Sequence, residues 1–344
     1  MGAEVNVGAQ SGCTIAQREE TFVTTDDLVR EAAVNPSLDD ALELAAALQA
    51  NLNAVVLGTP DAVVAATTAV LAAGHLLIED VPGVGKTMLA KAVAVSIGTR
   101  LARIQGHPDL LPSDITGVSI YSASSETWEF RPGPVFAHVV LFDELNRTPP
   151  RSQAALLEAM EERQVSVDGV SHALPEPFFV VATQNPHEQI GTYGLPESQL
   201  DRFLMRVSLG YPDPASERRL LLQGERRELL QNMPAVLSPA ELLSLQRAAH
   251  ALHVAAPLLD YVQALIARTR TTLRLGLSPR AAQGLVRAAQ AWALIAGETA
   301  VLPEHVQAVL PAVAAHRLER QEGDSAAQGA AIAQELIKAV ALPL

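Results

Sequence analysis

A glycine-bearing loop between a predicted strand and a predicted helix constrains the fold of this chain more than any other feature. The loop lies in LLIEDVPGVGKTMLAKAVA, residues 76–94, where an apolar run precedes it and Lys86 and Thr87 open an apolar-periodic helix. Gly83 and Gly85 allow the backbone to wrap closely around phosphate groups, with N–H groups pointing inward at the helix N-terminus. In such a loop the lysine supplies charge to the β- and γ-phosphates of a nucleotide, and the threonine hydroxyl can bind Mg²⁺. The segment therefore predicts a nucleoside triphosphate site.

The loop departs from the general phosphate-loop pattern at one position. The pattern has glycine six positions before the lysine, and Asp80 stands there. An ordinary glycine-rich turn is therefore an alternative, although the flanking strand and helix favour the phosphate site. A dinucleotide site fits less well, because no G-x-G-x-x-G follows the strand.

Polar side chains follow two further apolar runs, HVVLFDE at 138–144 and FFVVATQ at 178–184. Both runs predict buried parallel strands. At the end of the first, Asp143 can hold the water shell of Mg²⁺ and Glu144 can polarise an attacking water as a general base. Asn185 follows the second run and can hold that water. The alternatives are a strand ending in solvated acids and an asparagine that serves a turn.

The pattern of helices and strands changes once along the chain. Residues 1–37 are polar and irregular and are predicted to be a flexible tail, with Ser37 as the N-cap of a first helix. From there to about Gly210, helices alternate with short apolar runs, and beyond it one helical pattern follows another. We therefore predict an α/β core over 38–210 and a helical domain over 211–344.

A phosphate group nearby would explain the positions of two arginines in the sequence. Arg202 lies in LPESQLDRFLMRV, residues 195–207, in a short polar interval between apolar faces. It is either a surface ion-pair partner or an arginine finger for the γ-phosphate of a neighbouring subunit. Arg280 falls in the first turn of a helix that Ser278 caps, with Pro279 at its first position. A cation there opposes the helix dipole, which suggests that an external anion holds it.

Composition and charge disfavour several classes of function. The 344 residues include 38 Asp and Glu against 25 Lys and Arg, a net charge of −13, so nucleic acid is a poor default partner. Cys13 is the only cysteine, which excludes an internal disulfide and a multi-cysteine metal site. No H-E-x-x-H or G-x-S-x-G motif occurs, which disfavours a zinc site and a serine-nucleophile triad. No signal peptide or membrane span is readable, which predicts a cytoplasmic protein.

Together these segments resemble the MoxR family of AAA+ ATPases, over about residues 40 to 320. The stretches that carry the resemblance are IEDVPGVGKT, PDLLPSDITG, FRPGPVFA, DELNRTPPRSQAALLEAMEERQV, ATQNP, LPESQLDRFLMRV and SPRAAQGLVRAA. Asp80 agrees with this family. The resemblance implies an α/β fold: a P-loop NTPase (AAA+) core with a parallel sheet flanked by helices, two β-hairpin insertions and a small all-α lid domain.

The resemblance also implies roles for the matching residues, with ATP and Mg²⁺ as ligands. Glu144 would act in hydrolysis, Asn185 as a first sensor, Arg202 in trans as the finger and Arg280 from the lid as a second sensor. Arg147 is a further trans candidate, or the partner of a nearby acid. The adenine would lie near Val56 to Thr59, against the lid. Residues assigned to the nucleotide are Val56, Gly58, Pro82, Gly83, Val84, Gly85, Lys86, Thr87, Met88, Asp143 and Arg280, and those assigned to Mg²⁺ are Thr87 and Asp143.

The sequence supports both hairpin insertions. Residues 117–131 alternate around a polar turn and would interrupt a helix that resumes at PVFA, residues 134–137. Residues 164–179 have Asp168 and Gly169 as a tight-turn pair. In such ATPases the insertions face the ring pore or a partner. Trp128 and Tyr121 of the first hairpin would contact a client or pack across the strands.

The resemblance implies an ATPase that remodels, assembles or activates a client protein, or inserts metal into it, as a homo-oligomer that forms a hexameric ring. The usual partners of the family carry a von Willebrand factor A domain, and this chain shows no such domain. One alternative is a nucleic-acid motor with the same core, which the net acidity and the absence of basic-aromatic tracts disfavour. The other is an ATP-gated switch with little hydrolysis, against which Glu144 and Arg202 argue.

Overall fold

Five parallel strands form the central sheet of the computed structural model. The structure describes residues 36–56, 58–81, 83–185, 191–222, 226–320 and 326–342. The strands in these ranges are β1 Leu76–Glu79, β2 Leu101–Gln105, β3 Gly117–Ser122, β4 Thr127–Pro132, β5 Val139–Asp143, β6 Gln164–Val167, β7 Val170–Ala173, β8 Phe179–Gln184 and β9 Met205–Val207. The sheet has the order β2-β5-β8-β1-β9, and every neighbouring pair is parallel. The carboxyl ends of β1, β5 and β8 therefore lie along one edge.

Apolar residues on both faces hold this sheet between helices. Along β1, Leu76 and Ile78 belong to one buried cluster and Leu77 to the other, as the two-residue period of a strand requires. In the second cluster, the fully buried Phe142 of β5 packs on the same side as Leu157. Strands buried on both faces read as continuous apolar runs, which is why β1, β5 and β8 were predictable.

Helices before, between and after the strands cover the sheet. Those in the described ranges are α1 Leu38–Val55, α2 Pro60–Leu71, α3 Lys86–Ser96, α4 Pro112–Thr116, α5 Pro150–Glu162, α6 Glu197–Leu200, α7 Pro214–Leu222, α8 Arg226–Gln231, α9 Pro239–Ala251, α10 Ala256–Thr272, α11 Pro279–Ile295, α12 Pro303–Ala314 and α13 Ala326–Ala339. Ser37 caps α1, accepting the amide of Asp40 at 3.2 Å, and Ser278 caps α11 in the same way through Ala281. Both caps were predicted.

Two antiparallel hairpins stand outside the sheet, as predicted. One pairs β3 with β4, and the other pairs β6 with β7. Asp168 and Gly169 turn the second hairpin with φ of 52° and 79°, the left-handed values that a two-residue turn needs. The prediction that a helix resumes at residues 134–137 is wrong. That segment is a turn, in which Phe136 donates to the carbonyl of Gly133 at 3.1 Å, because β5 begins only two residues after it.

All regular structure described beyond Gly210 is helical, which completes the predicted α/β core and helical lid. Helix α11 packs against α1, α2 and α12, so the lid shares a buried apolar cluster with the core. In the described ranges, no helix is both long enough and apolar enough to cross a membrane. Of the predicted N-terminal tail, only the last two residues lie in those ranges.

Candidate functional site

The predicted phosphate loop begins where β1 ends and closes at the first residue of α3. Gly83 and Gly85 have φ of 88° and 106°, values that residues with a Cβ rarely adopt. A Cβ added to Gly83 would meet no atom within 4 Å, so the loop borders open space. Lys86 opens α3, and its Nζ donates to the carbonyl of Asp80 at 2.7 Å. The loop therefore offers amide groups and an ammonium group to an anion, as predicted.

A cleft of about 320 Å³ joins this loop to the ends of β5 and β8. We call it the phosphate-loop cleft. It is lined by Gly83, Gly85, Lys86, Thr87, Met88, Gln105, Asp143, Glu144, Thr183 and Asn185. Eight of these ten were assigned to the site from the sequence. A phosphate-binding loop and a pair of acids thus share one cavity.

Thr183 and two residues of β2 orient the acids. Asp143 accepts Arg103 Nε at 2.8 Å and the Thr183 hydroxyl at 3.3 Å. Glu144 has φ of 57°, which turns it out of the strand, and its side chain accepts the Gln105 amide at 2.9 Å. Neither Arg103 nor Gln105 was assigned a role from the sequence, because β2 was not recognised as a strand. The feature that could have identified them is the register of β2, which pairs with β5 so that Gln105 lies beside Asp143.

The asparagine predicted as a sensor is buried at the edge of the cleft. Asn185 directly follows β8, and its carbonyl accepts the Asn146 amide at 3.4 Å. Arg147, considered from the sequence as a trans group or a local partner, pairs with Glu144 at 3.4 Å. This carboxylate therefore has a cationic neighbour within its own chain.

Other residues assigned to the nucleotide lie outside the cleft lining. Val84 packs against the larger apolar cluster. Val56 is buried at the end of α1, and Gly58, with φ of 81°, lies against Pro212. Pro82 falls outside the described residues.

The two arginines predicted to contact phosphate both pair with one carboxylate, and neither lines the phosphate-loop cleft of its own chain. Arg202 pairs with Glu161 at 3.0 Å, and Arg280 pairs with the same carboxylate. The anion beside Arg280 is therefore Glu161 of α5 in this chain. The two arginines border a second cavity of about 300 Å³.

This second cavity, which we call the arginine pocket, carries an excess of positive charge. Its charged lining residues are Arg163, Arg202, Arg280, Arg287 and Arg317 against Glu161 and Asp201. Burial lowers the pKa of the Arg163, Arg287 and Arg317 guanidinium groups, and Asp201 partly offsets this for Arg317. Each remains a cation at neutral pH, since the ordinary arginine pKa is so high. The pocket is suited to an anion.

Known proteins match this chain along most of its length. Residues 75–205 match the model of the ATPase family associated with various cellular activities (AAA), and residues 265–336 match the AAA lid domain. The protein YeaC of Bacillus subtilis is 42% identical over 315 residues, which cover 90% of this chain and 96% of YeaC. Chaperone MoxR1 of Mycobacterium tuberculosis is 40% identical, covering 77% of this chain and 72% of its own.

Protein MoxR of Paracoccus denitrificans is 34% identical over 78% of this chain and 87% of its own. Among solved structures, that of an ATPase candidate from Cytophaga hutchinsonii superposes with a TM-score of 0.78 at 33% identity. It covers 89% of this chain and 96% of that one.

The parallel sheet, the phosphate-loop cleft and the helical lid define a P-loop ATPase of the AAA+ class. Within that class, the chain belongs to the MoxR family. The predictions of family, fold and ATP-hydrolysing activity are confirmed.

The residues of the cleft fit a Mg²⁺ ion that accompanies ATP. Thr87 offers a hydroxyl and Asp143 a carboxylate, and both line the same cavity. Mg²⁺ takes oxygen ligands and keeps several waters, completing its shell with substrate phosphates rather than with an all-protein cage. In the described ranges, no group of three or more His, Cys, Asp or Glu side chains that could hold a metal occurs.

Proposed function

We propose that this ATPase binds and hydrolyses ATP with Mg²⁺ to drive chaperone-like remodelling, assembly or activation of a client protein, metal insertion included. The observation that carries the proposal is the single cleft that contains Lys86, Thr87, Asp143, Glu144 and Asn185. The name of the Mycobacterium tuberculosis relative, a chaperone, supports the remodelling role.

In the proposed mechanism, the amides of the phosphate loop and the Lys86 ammonium bind the β- and γ-phosphates. Thr87 and Asp143 would hold Mg²⁺, which neutralises charge on the phosphates. Glu144 takes the proton of a water that attacks the γ-phosphorus, and Asn185 orients that water. The bond from the γ-phosphorus to the bridging oxygen breaks, so that ADP and phosphate leave.

We propose that Arg202 and Arg280 act on ATP bound by a neighbouring subunit of a homo-oligomeric, hexameric ring. Their separation from the cleft of their own chain supports this assignment, and so does the positive charge of the arginine pocket. An arginine that reaches the γ-phosphate in trans stabilises the transition-state charge. Glu161 would hold both guanidinium groups in one place until the neighbour arrives.

The domain boundaries remain those inferred from the sequence: a tail over 1–37, a core over 38–210 and a lid over 211–344. The exposed Trp128 and Tyr121, packed edge to face at 5.6 Å on the first hairpin, would contact the client. We expect a partner with a von Willebrand factor A domain and a cytoplasmic location.

A trapping experiment tests the client role. A Glu144→Gln chain, which should bind ATP and hydrolyse it poorly, is incubated with cell extract and Mg²⁺-ATP, and proteins that remain bound are identified. The matched control is Lys86→Ala, which loses the ammonium group and should not retain nucleotide.

The proposal expects a discrete protein that binds the Glu144→Gln chain with ATP, is released without nucleotide and is absent from the Lys86→Ala sample. That protein should change its activity, metal content or assembly when the parent chain and ATP are added. Capture that is independent of nucleotide, or a captured protein that ATP turnover leaves unchanged, would contradict it.

A further inference from the structure

Asp80 is the residue at which this chain departs from the general phosphate-loop pattern, and its carboxylate is buried. Oδ2 accepts the Ser208 hydroxyl at 3.0 Å and the Gly210 amide at 2.7 Å. Oδ1 accepts the amide of Val81 at 2.8 Å. Both oxygens are therefore hydrogen-bonded, and one of them is committed to residues far along the chain.

Ser208 and Gly210 belong to the segment that leads from the sheet into the helical lid. The segment follows β9, which ends at Val207, and precedes α7, which begins at Pro214. We call residues 208–213 the connector. Because the backbone passes from core to lid only here, a displacement of the connector relative to β1 changes where the lid starts.

The main chain of Asp80 contacts the phosphate loop while its side chain contacts the connector. Its carbonyl accepts Lys86 Nζ at 2.7 Å, and its amide donates to Gln184 of β8 at 3.2 Å. A glycine at this position would retain both main-chain contacts and lose both connector contacts. The carboxylate is therefore an addition to the ordinary loop rather than a requirement of it.

The residue before Asp80 makes a second link between the same elements. Glu79, the last residue of β1, forms an ion pair with Arg206 of β9, and both side chains are largely buried. This pair secures β9 itself. Within the connector, Leu209 packs into the larger apolar cluster and Pro212 lies against Gly58, while the polar groups of Ser208 and Gly210 bind Asp80.

We propose that Asp80 is a positioning residue that couples nucleotide binding at the phosphate loop to the position of the lid through the connector. When ATP orders the loop, the Asp80 carboxylate fixes the connector, and the lid closes over the nucleotide. The coupling should act on nucleotide affinity and leave the chemistry of Glu144 unaffected.

The test compares Asp80→Gly, Asp80→Asn and the parent in steady-state ATP hydrolysis. We expect Asp80→Gly to raise KM for ATP about tenfold while kcat stays within about twofold, since uniform binding is lost and transition-state contacts remain. Asp80→Asn should stay within about threefold of the parent KM, because its amide oxygen can still accept from Ser208 and Gly210.

Hydrogen–deuterium exchange gives a readout that a general loss of stability would not reproduce. In the parent, ADP should slow exchange in residues 83–88 and in the connector. In Asp80→Gly, ADP should slow exchange in residues 83–88 alone. Should Asp80→Gly fail to fold, Ser208→Ala replaces it, with a KM rise of about threefold and weaker protection of the connector.

The proposal would be overturned if Asp80→Gly, or Ser208→Ala in its place, kept the KM of the parent and the protection of the connector by ADP. It would also be overturned if Asp80→Asn raised KM as much as Asp80→Gly does. The experiment requires only ATP hydrolysis by this chain. Its failure is therefore distinguishable from the absence of a client.

Discussion

The hydroxyl of Thr183 accepts the backbone amide of Glu144 at 2.9 Å. The same hydroxyl donates to Asp143 Oδ1 at 3.3 Å, so one side chain on β8 contacts both consecutive acids that end β5. Glu144 adopts a left-handed conformation, which costs on the order of 1–3 kcal/mol for a residue other than glycine. The hydrogen bond that the Glu144 amide donates to the Thr183 hydroxyl offsets part of that cost and fixes the backbone from which the Glu144 carboxylate extends.

We predict that Thr183→Val lowers kcat about tenfold, which corresponds to about 1.4 kcal/mol in the barrier. Valine has nearly the same shape, so the change removes the hydroxyl and leaves the Glu144 amide without this acceptor. KM for ATP should stay within about twofold, because the phosphate loop is untouched. Steady-state phosphate release measures both constants.

Thr183→Ser is the matched control, because it restores the hydroxyl at the same position and should recover most of kcat. Equal kcat in the valine variant and the parent would show that the hydroxyl has no part in orienting the acids.

Arg202→Ala should abolish hydrolysis while ATP binding is retained. The arginine is separated from the cleft of its own chain, so its loss affects the neighbour and not the nucleotide that its own subunit holds. Mixing Arg202→Ala with Lys86→Ala chains should restore part of the activity, because some interfaces then combine an intact cleft with an intact arginine. Phosphate release across a series of mixing ratios measures the effect.

The control for this prediction is Arg151→Ala, which removes an exposed arginine from α5. It should hydrolyse ATP like the parent. A mixture of Arg202→Ala and Lys86→Ala that is no more active than its components would argue against action in trans.

His75 should make stability depend on pH. Burial, with a smaller effect of the Arg163 guanidinium, lowers the pKa of His75 from its ordinary value of 6.5 to about 3. Between these values the unfolded chain binds a proton that the folded chain does not, so stability falls as the pH falls through that window. From pH 6.5 to 5 this group alone contributes up to about 2 kcal/mol.

The measurement is urea unfolding of the parent and of His75→Gln at several pH values between 5 and 7. Glutamine keeps a donor and an acceptor and does not titrate, so its free energy of unfolding should depend less steeply on pH. Burial lowers the pKa of His316 as well. The free energy of unfolding should therefore fall with falling pH in the variant too, but less steeply than in the parent. Identical slopes in the two chains would contradict the assignment to His75.

The sequence predicted the interior of the sheet better than its edges. Strands β1, β5 and β8 are buried on both faces, and continuous apolar runs mark them. Strand β2 is an edge strand that carries Arg103 and Gln105, and β9 at the other edge has only three residues. Neither has a pattern that distinguishes it from a loop, and the contacts of β2 with the two acids were missed for that reason.

Contacts between residues far apart in the chain could not be predicted from the sequence either. Asp80 was visible as a departure from a pattern, but its partners lie 128 and 130 residues further along. The meeting of Arg202 and Arg280 at Glu161 depends on how α5 and α11 pack, which no local spacing encodes. In contrast, the phosphate loop and the acid pair were predictable, because each is defined by a short segment and its adjacent strand.

Multiple-turnover phosphate release by Glu144→Gln is the most direct test of the claim that ATP is hydrolysed in the phosphate-loop cleft. The account predicts that this variant binds ATP like the parent and releases phosphate at least about 100-fold more slowly, since it lacks the general base. Glu158→Gln, which changes an exposed carboxylate on α5, should match the parent. Turnover by Glu144→Gln at the parent rate would contradict the assignment of hydrolysis to this cleft.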